Sequence, residues 1–273
     1  MKVAICCIGK LENDYIREFV ESHKSIGFNN IILYDNNDKD GEKFQSVIGD
    51  YIKSGYVILE NYRGEYRAQK KAYTECYKKY CGKYDWITFI DIDEIIELKG
   101  FSTIQDFLSQ PEFDSFNCVK LCWKQYTDND LIYTPDNYSN SRFTSYLPLN
   151  RKYVSTSTKS ILRTNLKETF FISPHGPLND KRVKCCNSIG NPCENAIDIS
   201  NQTWNRAWVN HYRFRTIHEY VMNKMVRLWP TNYGDGGKTM LNLDFFFQYN
   251  KRTKEKEKYA ADLIKKYNIN ENK

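Results

Sequence analysis

Apolar positions in the first hundred residues come in short unbroken runs separated by amphipathic stretches. Val3, Ala4, Ile5, Cys6, Cys7 and Ile8 follow one another without alternation and stop at Gly9. That pattern predicts a strand buried on both faces. Residues 12–26 change to helical spacing, with Tyr15, Ile16, Phe19, Val20 and Ile26 on one stripe and Gly27 as the stop. The cycle repeats: strand at 30–35, polar loop at 36–41, helix at 44–54, strand at 56–60, helix at 67–80, and a further strand running into Asp91. This β-α-β-α-β-α-β alternation predicts a parallel sheet with right-handed crossovers, an α/β fold.

The second half is less regular. Residues 104–108 read as a short helix and 116–123 as a strand. Residues 128–146 read as a long loop, a length that usually carries function when it falls inside a domain. Strands are expected at 157–163 and 169–173, and irregular chain at 179–205. An apolar run at 207–212 leads to a helix at 217–228, and 253–267 is a Lys-rich amphipathic helix. No internal repeat or low-complexity linker divides the 273 residues, so one domain over 1–273 is expected.

The fourth strand ends unusually. Trp86 to Ile90 are apolar or β-favouring, and Asp91, Asp93 and Glu94 follow within four positions. An unpaired carboxylate inside a buried strand costs several kcal/mol or more, so these acids belong where the strand emerges. Open α/β sheets bind ligands at that carboxyl end. Residues two apart in extended chain share a side, so Asp91 and Asp93 can converge on one object. A divalent cation carrying phosphates suits them; solvated acids in a turn are the plainer alternative.

Other candidates gather around this strand. Asp35 and the pair Cys7-Ile8 close the second and first strands. Arg63, Arg67, Gln69 and Lys70 cluster where the third strand turns into its helix, a place suited to a pyrophosphate. His175 and His211 each follow an extended run and either can complete a metal shell. Asp128 and Asp130 open the long loop, where a carboxylate can serve as a base or simply shape a turn. No Gly-x-Gly-x-x-Gly or Walker motif follows the first strand, which disfavours a dinucleotide site.

Composition narrows this picture only a little. Apolar content is 41%, charged content 27% and aromatic content 15% with 21 Tyr; Tyr and Trp suit sugar-binding surfaces as well as cores. The net charge of +6 fits a polyanionic ligand such as a nucleotide, and no nucleic-acid-binding motif is present. Nine cysteines without Cys-x-x-Cys spacing, no signal-like segment and no apolar run of membrane length point to a cytoplasmic protein with free thiols.

Taken in order, several stretches resemble a known family. They are Cys6 to Phe19 with His23 and Gly27, Ile31 to Asn36, Arg67-Ala68-Gln69, Phe89 to Glu94, and Trp123. Further along come Asp128-Asn129, Arg142-Phe143-Thr144, Lys159 to Arg163, Pro174-His175 and Asn210-His211-Tyr212. The chain resembles nucleotide-sugar glycosyltransferases of the GT-A fold, and within them family 92 and bacterial family 2-like enzymes. The resemblance implies a nucleotide-binding half at 1–98, an acceptor half at 99–230 and a C-terminal helical extension at 231–273. It implies that Asp91 and Asp93 hold Mn2+ or Mg2+ and the donor diphosphate, with His211, or else His175, on the metal. Cys7, Ile8, Asp35, Arg67, Gln69, Asp91 and Ile92 would line the donor, and Asp128 would be the base of an inverting transfer. The donor would be a UDP-sugar, such as UDP-galactose or a related hexose. The acceptor would be a glycan or lipid-linked glycan of a surface polysaccharide or glycolipid, with the Lys-rich terminal helix able to touch an anionic inner membrane face. A nucleotidyltransferase and a non-catalytic carbohydrate-binding protein are the competing readings.

Overall fold

The computed structural model describes residues 1–134, 138–149, 158–166, 171, 173, 175, 182–194, 203–226 and 241–269. Its first half follows the hydrophobic pattern closely. Strands β1 (Val3–Gly9), β2 (Asn30–Asp35), β3 (Val57–Asn61) and β4 (Trp86–Phe89) lie parallel in the order β3-β2-β1-β4. Helices α1 (Asn13–Ser25), α2 (Gln45–Lys53) and α3 (Gln69–Tyr80) make the crossovers. The unbroken apolar run of β1 has the expected cause. Val3, Ile5 and Cys7 pack into the core on one side of the sheet, while Ala4, Cys6 and Ile8 pack into the core on the other.

Beyond β4 the sheet becomes mixed. Strand β5 (Glu94–Leu98) leaves the acidic turn, the helix α4 (Ile104–Leu108) follows, and β6 (Cys118–Gln125) returns to the sheet. Strand β7 (Thr158–Arg163) inserts between β4 and β6, antiparallel to both. Two short strands, β8 (Cys185–Asn187) and β9 (Pro192–Cys193), add to β6 within the region expected to be irregular. Strand β10 (Ala207–His211) runs parallel to β6 and antiparallel to β5. The order is β3-β2-β1-β4-β7-β6-β10-β5, with β8 and β9 off this path.

Two local expectations are corrected, and two further elements appear. The apolar pair after the acids belongs to strand β5, held through β10. The long loop contains a helical turn, α5 (Ser139–Arg142). The helix expected at 217–228 starts as α6 (Ile217–Glu219) on a Thr216–Glu219 capping box, then widens into a π-helical stretch, Tyr220–Met225. A further helix, α7 (Leu243–Phe247), precedes α8 (Lys254–Lys266). The strand expected at 169–173 lies largely outside the described residues, and Phe171 and Ser173 belong to no strand.

The C-terminal elements form a core of their own. Phe214, Tyr220, Phe246, Ala260 and Leu263 pack together. Among the described residues no helix is long and apolar enough to cross a membrane, and no disulfide joins the nine cysteines.

Candidate active site at the end of strand β4

The acids emerge from β4 as its buried pattern requires, but each has an assigned partner. Asp91 Oδ1 accepts from Gln69 Nε2 at 2.6 Å and from the Tyr73 hydroxyl at 3.2 Å. Its Oδ2 lies 2.7 Å from Lys159 Nζ. Lys159 sits on β7, is fully buried, and also lies 3.3 Å from Glu94 Oε2. The same Glu94 oxygen accepts the Asp91 backbone N–H at 2.9 Å. One ammonium therefore joins two carboxylates on opposite sides of the acidic turn. Burial pushes the Asp91 carboxyl up, but Lys159 outweighs it and holds Asp91 below the usual range. Glu94 responds the other way: burial pushes it up to about 8, with Lys159 opposing and Asp91 and Asp93 adding to the rise.

Asp93 is held by the C-terminal half. Its Oδ2 accepts from Lys224 Nζ, and His211 Nε2 stands 3.8 Å from the same oxygen, too far for a hydrogen bond. Strand β10 places His211 there, because its register sets His211 opposite Glu94. Burial alone would raise the Asp93 carboxyl; the Lys224 ammonium reverses this and holds it well below the usual range, with help from Arg215. Arg215 in turn lies over the Tyr15 ring and 3.4 Å from Glu12, so α1 buttresses the site.

Trp123 on β6 completes the arrangement. Its ring packs against His211 at 4.2 Å and against His175 at 5.0 Å between centroids. Burial lowers His211 to about 4, and burial together with Lys159 lowers His175 to about 3, so both rings are neutral at pH 7. Among the described residues, Glu94 Oε1, His175 Nδ1, His211 Nδ1 and Trp123 Nε1 are buried without a hydrogen-bond partner. Such atoms are uncommon in folded proteins; here four gather beside the same three carboxylates.

Among the described residues, no three His, Cys, Asp or Glu side chains converge to hold a metal ion. Both Asp91 oxygens are engaged by Lys159, Gln69 and Tyr73, and Asp93 Oδ2 carries the Lys224 ammonium. Glu94 Oε1 and the Nδ1 atoms of His175 and His211 keep lone pairs of the kind a divalent ion takes, while Asp91 and Asp93 are paired with lysines.

The remaining candidates fall into other places. Cys7 and Ile8 are buried in the two cores flanking the sheet. The Ile92 side chain is also core, packed where Gly9 leaves room for it: a Cβ on Gly9 would come 2.3 Å from Ile92 Cδ1. Asp35 shapes its own loop. Its Oδ1 accepts from the backbone and side chain of Asn37, and its Oδ2 pairs with Arg63 at 2.8 Å. Arg67, in the left-handed region at φ 53°, lies over the Tyr66 ring just before α3. Asp128 is 2% exposed and 2.6 Å from Lys256 of α8. A carboxylate closed in that way ties the terminal helix to the loop after β6 and is not presented to an acceptor hydroxyl, which corrects its reading as the base.

Residues 2–233 match the model for glycosyltransferase family 92. The chain belongs to that family. A glycosyltransferase family 92 protein of Oryza sativa subsp. japonica is 27% identical over 106 residues, and one of Ricinus communis is 27% identical over 120. These matches cover 39% and 44% of the family 92 chain described here, and it spans only 18% and 21% of the lengths of those relatives. Among solved structures it is similar to residues 1–349 of S. aureus TarS, with a TM-score of 0.46 and 12% identity over 97% of this chain and 79% of that one. It is also similar to the mannosyltransferase PcManGT of Pyrobaculum calidifontis in complex with GDP-Man and Mn2+. There the TM-score is 0.37 with 11% identity, over 59% of this chain and 44% of that one.

Several site residues of this family 92 chain escaped the sequence reading. Lys159 had a usable signal: a lysine in a strand otherwise buried demands a carboxylate partner. Glu94 was seen as a third acid but given no role. Lys224 carried no signal, since its position depends on the π-helical turn. Trp123 enters the sequence pattern only through the family resemblance.

Proposed function

We propose that this chain transfers a hexosyl group from a UDP-sugar to a hydroxyl of a glycan acceptor, with inversion at the anomeric carbon. One observation carries the reading: Asp91, Asp93 and Glu94 leave the carboxyl end of β4 interlocked with Lys159 and Lys224. Family membership supports the reaction class. In the transfer, the acceptor oxygen forms a bond to the anomeric carbon. The bond from that carbon to the diphosphate oxygen breaks, and its electron pair stays on the departing nucleoside diphosphate. The acceptor proton passes to solvent. What the site must supply is cationic stabilisation of that leaving group and a fixed donor geometry.

The decisive experiment incubates the protein with a panel of nucleotide sugars, with Mn2+ and separately with chelator, and follows nucleoside diphosphate release. Turnover of one donor that disappears in Asp93→Asn supports the proposal. A panel in which no donor is bound or consumed rejects it. For the acceptor we favour a glycan or lipid-linked glycan at the cytoplasmic membrane face. Lys254, Lys258, Lys265 and Lys266 on the exposed side of α8 suit an anionic surface; salt-sensitive co-sedimentation with anionic vesicles checks this part alone.

A further inference from the structure

Strands β6, β8 and β9 set three cysteines in one row. Cys118 of β6 is the register partner of Cys185 on β8, and Cys185 is the register partner of Cys193 on β9. All three lie on the same side of the sheet, Cys118 and Cys185 inside that core and Cys193 packed against it. Cys186 belongs to the core on the other side. The turn between β8 and β9 fixes this register. The Asn187 N–H donates to the Asn191 carbonyl at 2.9 Å, and Asn187 Oδ1 accepts from the Ile189 and Asn191 N–H groups at 3.1 and 3.0 Å. Gly190 supplies the left-handed residue, at φ 83°.

Opposed residues of an antiparallel pair stand about 4.5–5.5 Å apart at Cα. A disulfide spans about 4.4–6.8 Å, so Cys185 and Cys193 can be joined without separating the strands. Access differs along the row. Cys118 and Cys185 are buried, while Cys193 is half-buried, so an oxidant from solvent meets Cys193 first. The Cys185 S–H donates to the Cys118 sulfur. Burial pushes the Cys118 thiol up, but this hydrogen bond, with the Lys120 ammonium and the Ser160 hydroxyl, brings it down to about 7. The Cys185 proton therefore has an acceptor within its own row. Cys81, the exposed cysteine, is placed differently: it donates to the Thr164 carbonyl at 2.8 Å, and its bridge partner is Tyr84.

We propose that Cys193 and Cys185 are a peroxide-sensitive dithiol that closes into a reversible disulfide across β8 and β9, with Cys118 as the proton acceptor. The proposal does not depend on the nucleotide-sugar reading. The Cys193 thiolate attacks one oxygen of hydrogen peroxide and is oxidised to the sulfenic acid. The O–O bond breaks, and the other oxygen leaves as hydroxide and is protonated to water. The Cys185 sulfur then attacks the Cys193 sulfur while its proton moves to Cys118. The S–O bond breaks, the hydroxide takes up a proton and leaves as water, and the disulfide remains. A dithiol reductant returns both thiols by exchange.

The test treats the reduced full chain with a small excess of hydrogen peroxide, blocks the remaining thiols with N-ethylmaleimide and maps disulfides by mass spectrometry without reduction. The wild type should give an intrachain Cys185–Cys193 disulfide that dithiothreitol removes. The same disulfide should form in Cys186→Ala, which separates Cys185 from its neighbour. Cys185→Ser should hold Cys193 as a sulfenic acid that dimedone traps. Cys118→Ala should form the same disulfide at least about tenfold more slowly; thermal melts control for folding. A wild type in which Cys193 stays reduced while Cys81 is oxidised overturns the proposal, as does a disulfide joining Cys185 to any other cysteine. An unchanged rate in Cys118→Ala overturns the role of Cys118. The wild-type map decides the pairing even if the variants do not fold.

Discussion

Lys256 of α8 reaches 2.6 Å from Asp128 Oδ2 with both side chains almost wholly buried. The same ammonium donates to the Lys251 carbonyl at 3.3 Å, and the Asp128 N–H donates to Asn250 Oδ1 at 2.8 Å. This knot fastens the terminal helix to the loop after β6. Removing the Asp128 charge leaves the buried Lys256 with only the exposed Asp130, 3.2 Å away, a loss of up to about 3–5 kcal/mol. Asp128→Asn should therefore unfold at clearly lower denaturant concentration than the wild type. A double change, Asp128→Leu with Lys256→Met, should recover part of the loss. Unchanged stability in Asp128→Asn with transfer abolished would return Asp128 to the role of base.

Lys159 compensates Asp91 and Glu94 together. In Lys159→Met the two carboxyls lose that partner, and their folded-state affinity for protons rises. A carboxyl raised above its unfolded value of about 4 destabilises the fold as pH rises past that value. The stability deficit of Lys159→Met relative to wild type should thus be larger at pH 8 than at pH 5. Equal deficits in urea titrations at the two pH values would rule out the electrostatic role.

His23 gives a pH dependence with a defined sign. Its ring is fully buried between two backbone groups: Nδ1 lies 2.7 Å from the Phe19 carbonyl, and Nε2 accepts the Ile96 N–H at 3.2 Å. Nε2 must stay unprotonated to accept, so Nδ1 carries the hydrogen. Burial lowers the pKa from 6.5 to about 4. The neutral ring's contribution is whole above pH 6.5 and is lost as pH falls toward 4. Between pH 6.5 and 5 the loss approaches about 2 kcal/mol for one proton. His175 and His211 act in the same direction, so the measurement is the difference between wild type and His23→Gln. The pH slope over this window should be shallower in the variant.

Gly9 ends β1 against the acidic turn. A Cβ there would stand 2.3 Å from Ile92 Cδ1 and 2.8 Å from Phe44 Cζ. Gly9→Ala should cost about 1–3 kcal/mol by overpacking and shift the chain that carries Asp91 and Asp93. Donor affinity should fall with stability, and Ile92→Ala in the same chain should restore part of both. A Gly9→Ala protein with wild-type melting temperature and donor affinity would show that the turn is not set by this contact.

The first half of the fold was legible because its physics is local. Apolar runs, helical stripes and glycine stops placed β1 to β4 and α1 to α3 within a few residues, and the need to bring charges out of a buried strand placed Asp91 and Asp93 at its end. What could not be read was which charges would answer them. Lys159 comes from a strand inserted antiparallel between β4 and β6, Lys224 from a π-helical turn, and His211 from the register of β10 on β5. These partners lie 68, 131 and 118 positions from the acids they face. No periodicity or spacing reports on such distances, because the energy that fixes them is cross-strand pairing and charge compensation in the assembled sheet. The same holds for Asp128: its sequence allowed a base or a turn, and only the packing of α8 gave it a buried lysine.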